Sequence, residues 1–296
     1  MKTPKMVCIM NPAAGTRRGV RQTVEQALSG AAVDFVFHET RCAGHAFQLA
    51  QEAIALKAGS VIGIGGDGTL NEVAKALVNT QVPLGVIPVG SGNAFARALK
   101  ISTIPKKACC QLLNALPRRL DVGMVESDVF LSTAGVGLDA EVARGFAARK
   151  GKRRGLMPYV MLALNAIQKS EREPLRLIWD DHHELVCRPL GLVVANTAQY
   201  GNGAIIAPGA CPNDGLLDVC VIEPTSSLSM MIHARRLFTG SFHQMPGVRR
   251  FQVRKIRVER VVPGYYQCDG EALEGPAHLN FEVKPEALSV LLPNRQ

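Results

Sequence analysis

Asp67 stands among glycines in the stretch VIGIGGDGTLNEV, residues 61–73, with Gly65 and Gly66 before it and Gly68 after. Glycines permit positive φ and close backbone approach, so successive amide N–H groups can turn toward an anion. Thr69 adds a hydroxyl donor, and a helix opening near Leu70 would bring its positive end to the same place. A carboxylate beside phosphate needs a cation between them, and Mg²⁺ joins carboxylates to substrate phosphates. Gly63, Gly65 and Gly68 also have the spacing G-x-G-x-x-G, but a dinucleotide loop would offer an Asp or Glu roughly 20 residues further on. After Glu72 the next acidic residue is Asp121, so that spacing is a coincidence of a glycine-rich turn. A tight turn without a ligand is the plain alternative.

Two more loops have the same character. NPAAGTRRG follows the first apolar run and offers Asn11, Gly15, Thr16, Arg17 and Arg18, and IPVGSGNAFAR again follows an apolar run and precedes a helical pattern. Three such loops at strand ends converge on one edge of an open parallel sheet, where such sheets bind ligands. They describe a nucleotide-phosphate site without a G-x-x-x-x-G-K-[ST] loop or a protein-kinase signature set. Far downstream, in YYQCDGEALEG, Asp269 and Glu271 lie two residues apart, on one side if the segment is extended. Such carboxylates suit a general base and a metal or hydroxyl contact, while a D-G turn between strands is the competing explanation. APGACPNDGLLDV offers Asp214 and Asp218 with the same ambiguity, and His182 and His183 in DDHHEL are read as a polar hairpin end rather than metal ligands.

The elements that must carry these loops alternate up to about residue 120. MVCIM, VDFVFHE, SVIGIG and PLGVIPVG are strand candidates; GVRQTVEQALSGA puts Val20, Val24, Ala27 and Leu28 on one helical face, and HAFQLAQEAIALKAG spaces Leu49, Ala53 and Leu56 for burial. LNEVAKALVN, NAFARALK and KKACCQLLNAL continue the helical series. Beyond Leu120 short strand candidates dominate, among them VFLSTAGV, LRLIWD, LGLVVANT, LLDVCVIE and FQVRKIRVERV, with helices expected in PYVMLALNAIQKS and LSMMIHARRLF. The expectation is a two-domain chain: an N-terminal α/β domain with an open parallel sheet over 1–122, and a C-terminal, mostly antiparallel β-sandwich domain over 123–296 whose last strand returns to the first.

At 296 residues and 47% apolar content the chain can bury two cores, and its net charge of +9 is densest around Arg144, Arg149, Lys150, Lys152, Arg153 and Arg154. That run suits an anionic partner such as a membrane surface, or is a solvated loop; no nucleic-acid-binding signature accompanies it. The eight cysteines form no C-x-x-C pair and are read as reduced thiols. The N-terminal apolar run is too short for a signal peptide, and no segment approaches the roughly 18 apolar residues of a membrane span. A cytoplasmic protein with peripheral membrane contact is expected, its oligomeric state open.

Taken in order, NPAAG, GGDGTLNEV, GSGNAFAR, NDGLLDV and DGE resemble the diacylglycerol kinase catalytic-domain family, which also includes sphingosine kinases and bacterial lipid kinases. The resemblance covers nearly the whole chain and implies an ATP- and Mg²⁺-dependent transfer of the γ-phosphoryl group to a hydroxyl of diacylglycerol or a similar lipid alcohol. It makes Asn11, Pro12, Ala13, Ala14 and Gly15, and Gly65, Gly66, Asp67, Gly68, Thr69, Leu70, Asn71 and Glu72, the nucleotide loops, with Thr40, Ser91, Gly92 and Asn93 as further contacts. It makes Asp269 the general base, Glu271 its support or a metal contact, and Asp67 a group acting through Mg²⁺. A second metal is implied at Asp214, with the carbonyls of Cys211 and Leu216. Two departures stand out: Ala14 lacks the hydroxyl common in the first loop, and Ala94 stands where many bacterial members carry Asp. A sphingosine-type long-chain-base kinase, an NAD kinase-like enzyme and a nucleotide-binding regulator without activity remain alternatives.

Overall fold

The computed structural model describes residues 6–15, 19–147, 173–224, 229, 232, 233 and 235–294. Thr16, Arg17 and Arg18, the basic run from Arg149 to Arg154, the helix expected in PYVMLALNAIQKS and parts of LSMMIHARRLF lie outside the described residues. The chain divides into two compact units, Met1–Leu120 with Glu286–Gln296, and Asp121–Pro285.

In the first unit, strands and helices alternate as β1 (Met6–Met10), α1 (Val20–Gly30), β2 (Phe35–Glu39), α2 (His45–Ala55), β3 (Val61–Gly65), α3 (Asp67–Leu77) and β4 (Leu84–Pro88), followed by α4 (Ala94–Ala98) and α5 (Pro105–Leu113). The strands are parallel in the order β2-β1-β3-β4, with Val7 opposite both Val36 and Val61 and Ile62 opposite Gly85. Right-handed crossovers place α1 on one face of such a sheet and α2 and α3 on the other. In keeping with this, α2 packs on α3 while α1 packs on α5. Both faces are therefore covered, and every residue of β3 and β4 is buried, as their unbroken apolar sequences require. Val24 and Leu28 are the buried stripe of α1, and Leu49 and Ala53 lie on that of α2. Leu56 does not join them: it caps the end of α2 and is 64% exposed.

The second unit begins within β5 (Ala115–Val125) and continues through β6 (Asp128–Phe130), β7 (Thr133–Gly137), α6 (Leu138–Ala147), β8 (Leu175–Trp179), β9 (His183–Cys187), β10 (Gly191–Ala195), β11 (Gln199–Gly201), β12 (Ala204–Ile205), β13 (Leu217–Ile222), β14 (Val248–Val253), β15 (Lys255–Glu259), β16 (Gly264–Cys268), β17 (Glu271–Gly275) and β18 (His278–Pro293). One antiparallel sheet runs β14-β13-β10-β7-β16-β17; facing it, β18, β15, β8 and β9 form an antiparallel run. Leu192, Val194, Val219, Leu177, Ile256 and Phe281, drawn from both, share one apolar core. Val193 and Cys220 point the other way, into a second core with Ile206 and Phe242. With both faces of the six-stranded sheet covered, β10 is buried at every position despite being antiparallel. The last residues of β18 leave this unit and pair with β4 of the first, Val290 opposite Leu84. VFLSTAGV, expected as one strand, is broken at Leu131 and Ser132 between β6 and β7, and α6 was not anticipated.

Candidate active site

The first unit locks three loops together. Asn11, directly after β1, donates from Nδ2 to Thr69 Oγ1 at 3.2 Å, while its Oδ1 accepts the Ala13 N–H at 2.9 Å. Gly15 has φ +75°, and a Cβ there would overlap the Val89 carbonyl oxygen at the end of β4. Gly66 and Gly90 also meet closely: a Cβ on Gly66 would come within 3.3 Å of the Gly90 Cα. Between the second and third loops, Asp67 Oδ1 accepts the Phe95 N–H at 3.4 Å. Asn93, buried and at φ 51°, donates to the Gly90 carbonyl at 2.8 Å, and its Oδ1 has no hydrogen-bond partner among the described residues. Thr40 is held by its own N–H, which donates to the Met10 carbonyl at 2.8 Å.

Within the second loop the expected residues divide by role. Asp67 opens α3, where the helix end favours negative charge. Leu70 is fully buried beneath the loop, its side chain against Gly63, so it offers only backbone to a ligand. Glu72 is committed elsewhere: its two carboxylate oxygens accept the Gly44 and Ala46 N–H groups at 2.9 and 3.0 Å, capping α2. Ser91 is exposed, and the Gly92 carbonyl accepts from Arg97 Nε at 3.1 Å. The close-packed glycines and the α3 N-terminus fit a phosphate group. The Asp67 carboxylate is the donor type that a hard cation shared with such phosphates takes.

In the second unit, the D-G pair is the two-residue turn of the β16–β17 hairpin. Cys268 pairs with Glu271, and Asp269 and Gly270 have φ of 47° and 86°, as such turns demand. The segment is thus not extended, and the same-side argument for Asp269 and Glu271 does not apply. The Asp269 carboxylate is directed by three backbone donors: Leu131 N–H at 2.7 Å to Oδ2, and Ser132 and Thr133 N–H at 2.8 and 3.2 Å to Oδ1. Its own N–H donates to the Thr133 carbonyl at 2.8 Å. The break between β6 and β7 supplies the Leu131 and Ser132 amides, and the first residue of β7 the third. Glu271 begins β17 and is exposed.

Asp214 Oδ1 accepts the Leu216 N–H at 3.0 Å, and the neighbouring Gly215 N–H donates to Asp121 Oδ2 at 2.8 Å. Burial first, and the negative charges of Asp218 and Asp121 after it, raise the Asp214 carboxyl above its ordinary value. Asp218 is already neutralised by Arg250, whose Nε and Nη2 donate to it at 2.9 and 2.6 Å. Cys211 Sγ donates to Asn213 Oδ1 at 2.7 Å. The sequence drew no attention to two further polar residues. Asp139 is buried, with its carboxyl pushed up to about 6 by that burial, and Gln267 lies hydrogen-bonded to it.

The diacylglycerol kinase catalytic domain model matches residues 5–125, and the model of the YegS C-terminal NAD kinase beta sandwich-like domain matches residues 132–292. A Pseudomonas fluorescens protein named "Probable lipid kinase YegS-like" is 31% identical, with 99% of this chain and 97% of the relative covered. A Mycobacterium tuberculosis protein named "Diacylglycerol kinase" is 29% identical over 98% of this chain and 95% of its own length. A Bacillus anthracis diacylglycerol kinase crystal structure has the same fold, with a TM-score of 0.74 at 20% identity over 99% of this chain and 98% of its own. The chain belongs to the diacylglycerol kinase-like family of lipid kinases.

Proposed function

We propose that the chain uses ATP and Mg²⁺ to phosphorylate a hydroxyl of diacylglycerol or a similar lipid alcohol. The observation that carries this is the interlock of the Asn11, Asp67 and Gly90 loops, which presents backbone amides and one carboxylate at the opening of α3. Asn11 to Gly15 and Gly66 to Thr69 would orient the nucleotide phosphates, with Thr40, Ser91 and Asn93 at the margins. Asp67 would hold Mg²⁺, which neutralises phosphate charge during transfer. Little covalent help is needed beyond alignment, charge neutralisation and removal of the hydroxyl proton.

Asp269 is the group for that proton. Its three amide donors fix the direction of the carboxylate, and so the line along which a hydroxyl would approach it. Glu271 sits beside the turn as an accessory carboxylate. A cation at Asp214 would need the carbonyl oxygens of Cys211 and Leu216, and no step of the transfer is assigned to it. Among the described residues no helix is long and apolar enough to cross a membrane. On charge alone, the run from Arg149 to Arg154 would meet an anionic bilayer surface at about 1 kcal/mol per cation, which vesicle sedimentation at rising salt tests.

The deciding experiment measures ADP release in mixed micelles with diacylglycerol, sphingosine or NAD as acceptor. Release stimulated by diacylglycerol and dependent on Mg²⁺ is expected. Release with NAD alone, or with none of the three, would overturn the proposal.

A further inference from the structure

Behind the Asp269–Gly270 turn lies a buried polar chain that the roles assigned so far do not use. Asp139, the second residue of α6, is 7% exposed, and its Oδ2 accepts a hydrogen bond from Gln267 Nε2 at 2.6 Å. The same nitrogen donates to Thr133 Oγ1 at 3.2 Å, and Gln267 Oε1 accepts the Gly270 N–H at 2.7 Å. Tyr200 supplies Asp139 with a second hydrogen bond. The Gln267 amide consequently has one satisfactory orientation. Flipped, it would set oxygen against the carboxylate and an N–H against the Gly270 N–H. Gly135 makes room for this arrangement, since a Cβ there would come within 2.6 Å of Asp139 Oδ2.

Gly270 is covalently next to Asp269, and Thr133, which donates its N–H to Asp269, also accepts the Gln267 Nε2–H at its hydroxyl oxygen. The turn is thus gripped twice: from one side by the amides of Leu131, Ser132 and Thr133, from the other by Gln267. Burying a carboxylate against neutral partners opposes folding, so an apolar residue at position 139 would serve stability better. With its carboxyl pushed up only to about 6, Asp139 carries its charge at neutral pH.

We propose that Asp139 is a positioning residue: through the side-chain amide of Gln267 it locks the Asp269–Gly270 turn, and so keeps the Asp269 carboxylate in the direction that phosphoryl transfer requires. The proposal rests on the kinase reading above. Other titratable groups belong to the elements that α6 packs against: Tyr265, Tyr266 and Cys268 on β16 and Glu271 and Glu274 on β17. Glu141 and Arg144 of α6 itself line a cavity of about 240 Å³ beside β16.

The test exchanges the two partners. Gln267→Glu puts two carboxyls where one proton must be shared. Its kcat should fall at least about tenfold at pH 8, recover toward the parent at pH 6, and leave the KM for ATP within about twofold. Asp139→Asn combined with Gln267→Glu restores a donor facing an acceptor and leaves an oxygen for Gly270. Its kcat at pH 8 should return to within about threefold of the parent. The parent and the double variant, followed over the same pH range, carry every other titration and so isolate that of the pair. Parent-like kcat in Gln267→Glu at pH 8, or a folded double variant no faster than Gln267→Glu, would overturn the proposal. If Gln267→Glu does not fold, hydrogen exchange of the Gly270 amide in Asp139→Ala decides: exchange at least about tenfold faster than in the parent is expected, and parent-like protection refutes the relay. A parent without lipid phosphorylation would defeat the kinase reading, while the Gly270 amide would still report on the relay.

Discussion

In the first unit the glycine loops are held by backbone meeting backbone, Gly15 against Val89 and Gly66 against Gly90, with short polar side chains filling in. In the second, side chains do the holding: the Asp269 carboxylate collects the amides of a strand break, and Gln267 and Asp139 brace the turn from behind. Under the proposed function, the difference follows from what each site would have to present. A phosphate is recognised by N–H groups, so the first site needs exposed backbone and no side chains in the way. A hydroxyl proton needs one oxygen aimed with precision, so the second needs its carboxylate over-determined.

Asp67→Asn should separate chemistry from folding most sharply. The Asn oxygen can still accept the Phe95 N–H, but the charge for Mg²⁺ is gone. Transfer should fall about 10²- to 10³-fold, with the thermal midpoint unchanged. Wild-type turnover at ordinary Mg²⁺ would remove Asp67 from the metal. Gly15→Ala attacks the backbone-held site directly, because it adds a Cβ at a left-handed φ against the Val89 carbonyl. Calorimetric ATP affinity should drop roughly 100-fold, about 2.8 kcal/mol, whereas unchanged affinity would detach the first loop from the nucleotide.

For the side-chain-held site the contrast shows in stability. The Asp139 carboxyl moves up from 3.8 to about 6 on folding, so the folded chain binds that proton more tightly than the unfolded chain. Its contribution to stability is complete below about pH 3.8 and is lost as pH rises through about 6. At neutral pH the buried charge opposes folding by about 3 kcal/mol, because each tenfold gain in proton affinity is worth about 1.4 kcal/mol. Asp139→Asn should flatten this pH dependence between pH 4 and pH 7 in urea titrations. A variant as pH-dependent as the parent would assign the titration to another group. The smallest effect is expected at Glu72→Gln, which loses one of two cap bonds to α2 and about 1 kcal/mol of stability. A large rise in KM for ATP there would return Glu72 to the nucleotide.

The same contrast governs what could be read beforehand. β1, β3 and β4 stood out because strands covered on both faces must be apolar throughout, and the glycine loops because local sequence determines a turn. The second site is built from partners far apart in the chain: Gln267 lies 128 residues from Asp139, and Asp269 lies 136 to 138 residues from its amide donors. No periodicity encodes such pairs. Without them VFLSTAGV looked like one strand, although Leu131 and Ser132 leave the ladder to serve Asp269. α6 starts directly after Gly137, the left-handed residue that ends β7, so no loop separates strand from helix in the sequence. Glu72 lies inside the glycine-loop motif, and the α2 amides its carboxylate caps lie 26 to 28 residues back in the chain, where no local signal points to them.

The most direct test follows label from γ-phosphate-labelled ATP into diacylglycerol in mixed micelles, comparing the parent with Asp269→Asn. That substitution places an amide NH₂ or a single oxygen against three N–H donors, so its folding is checked by circular dichroism alongside. The parent should label the lipid only when Mg²⁺ is present, and folded Asp269→Asn should do so at least about 100-fold more slowly. A parent that labels no lipid alcohol, or a folded Asp269→Asn that matches it, would contradict the account.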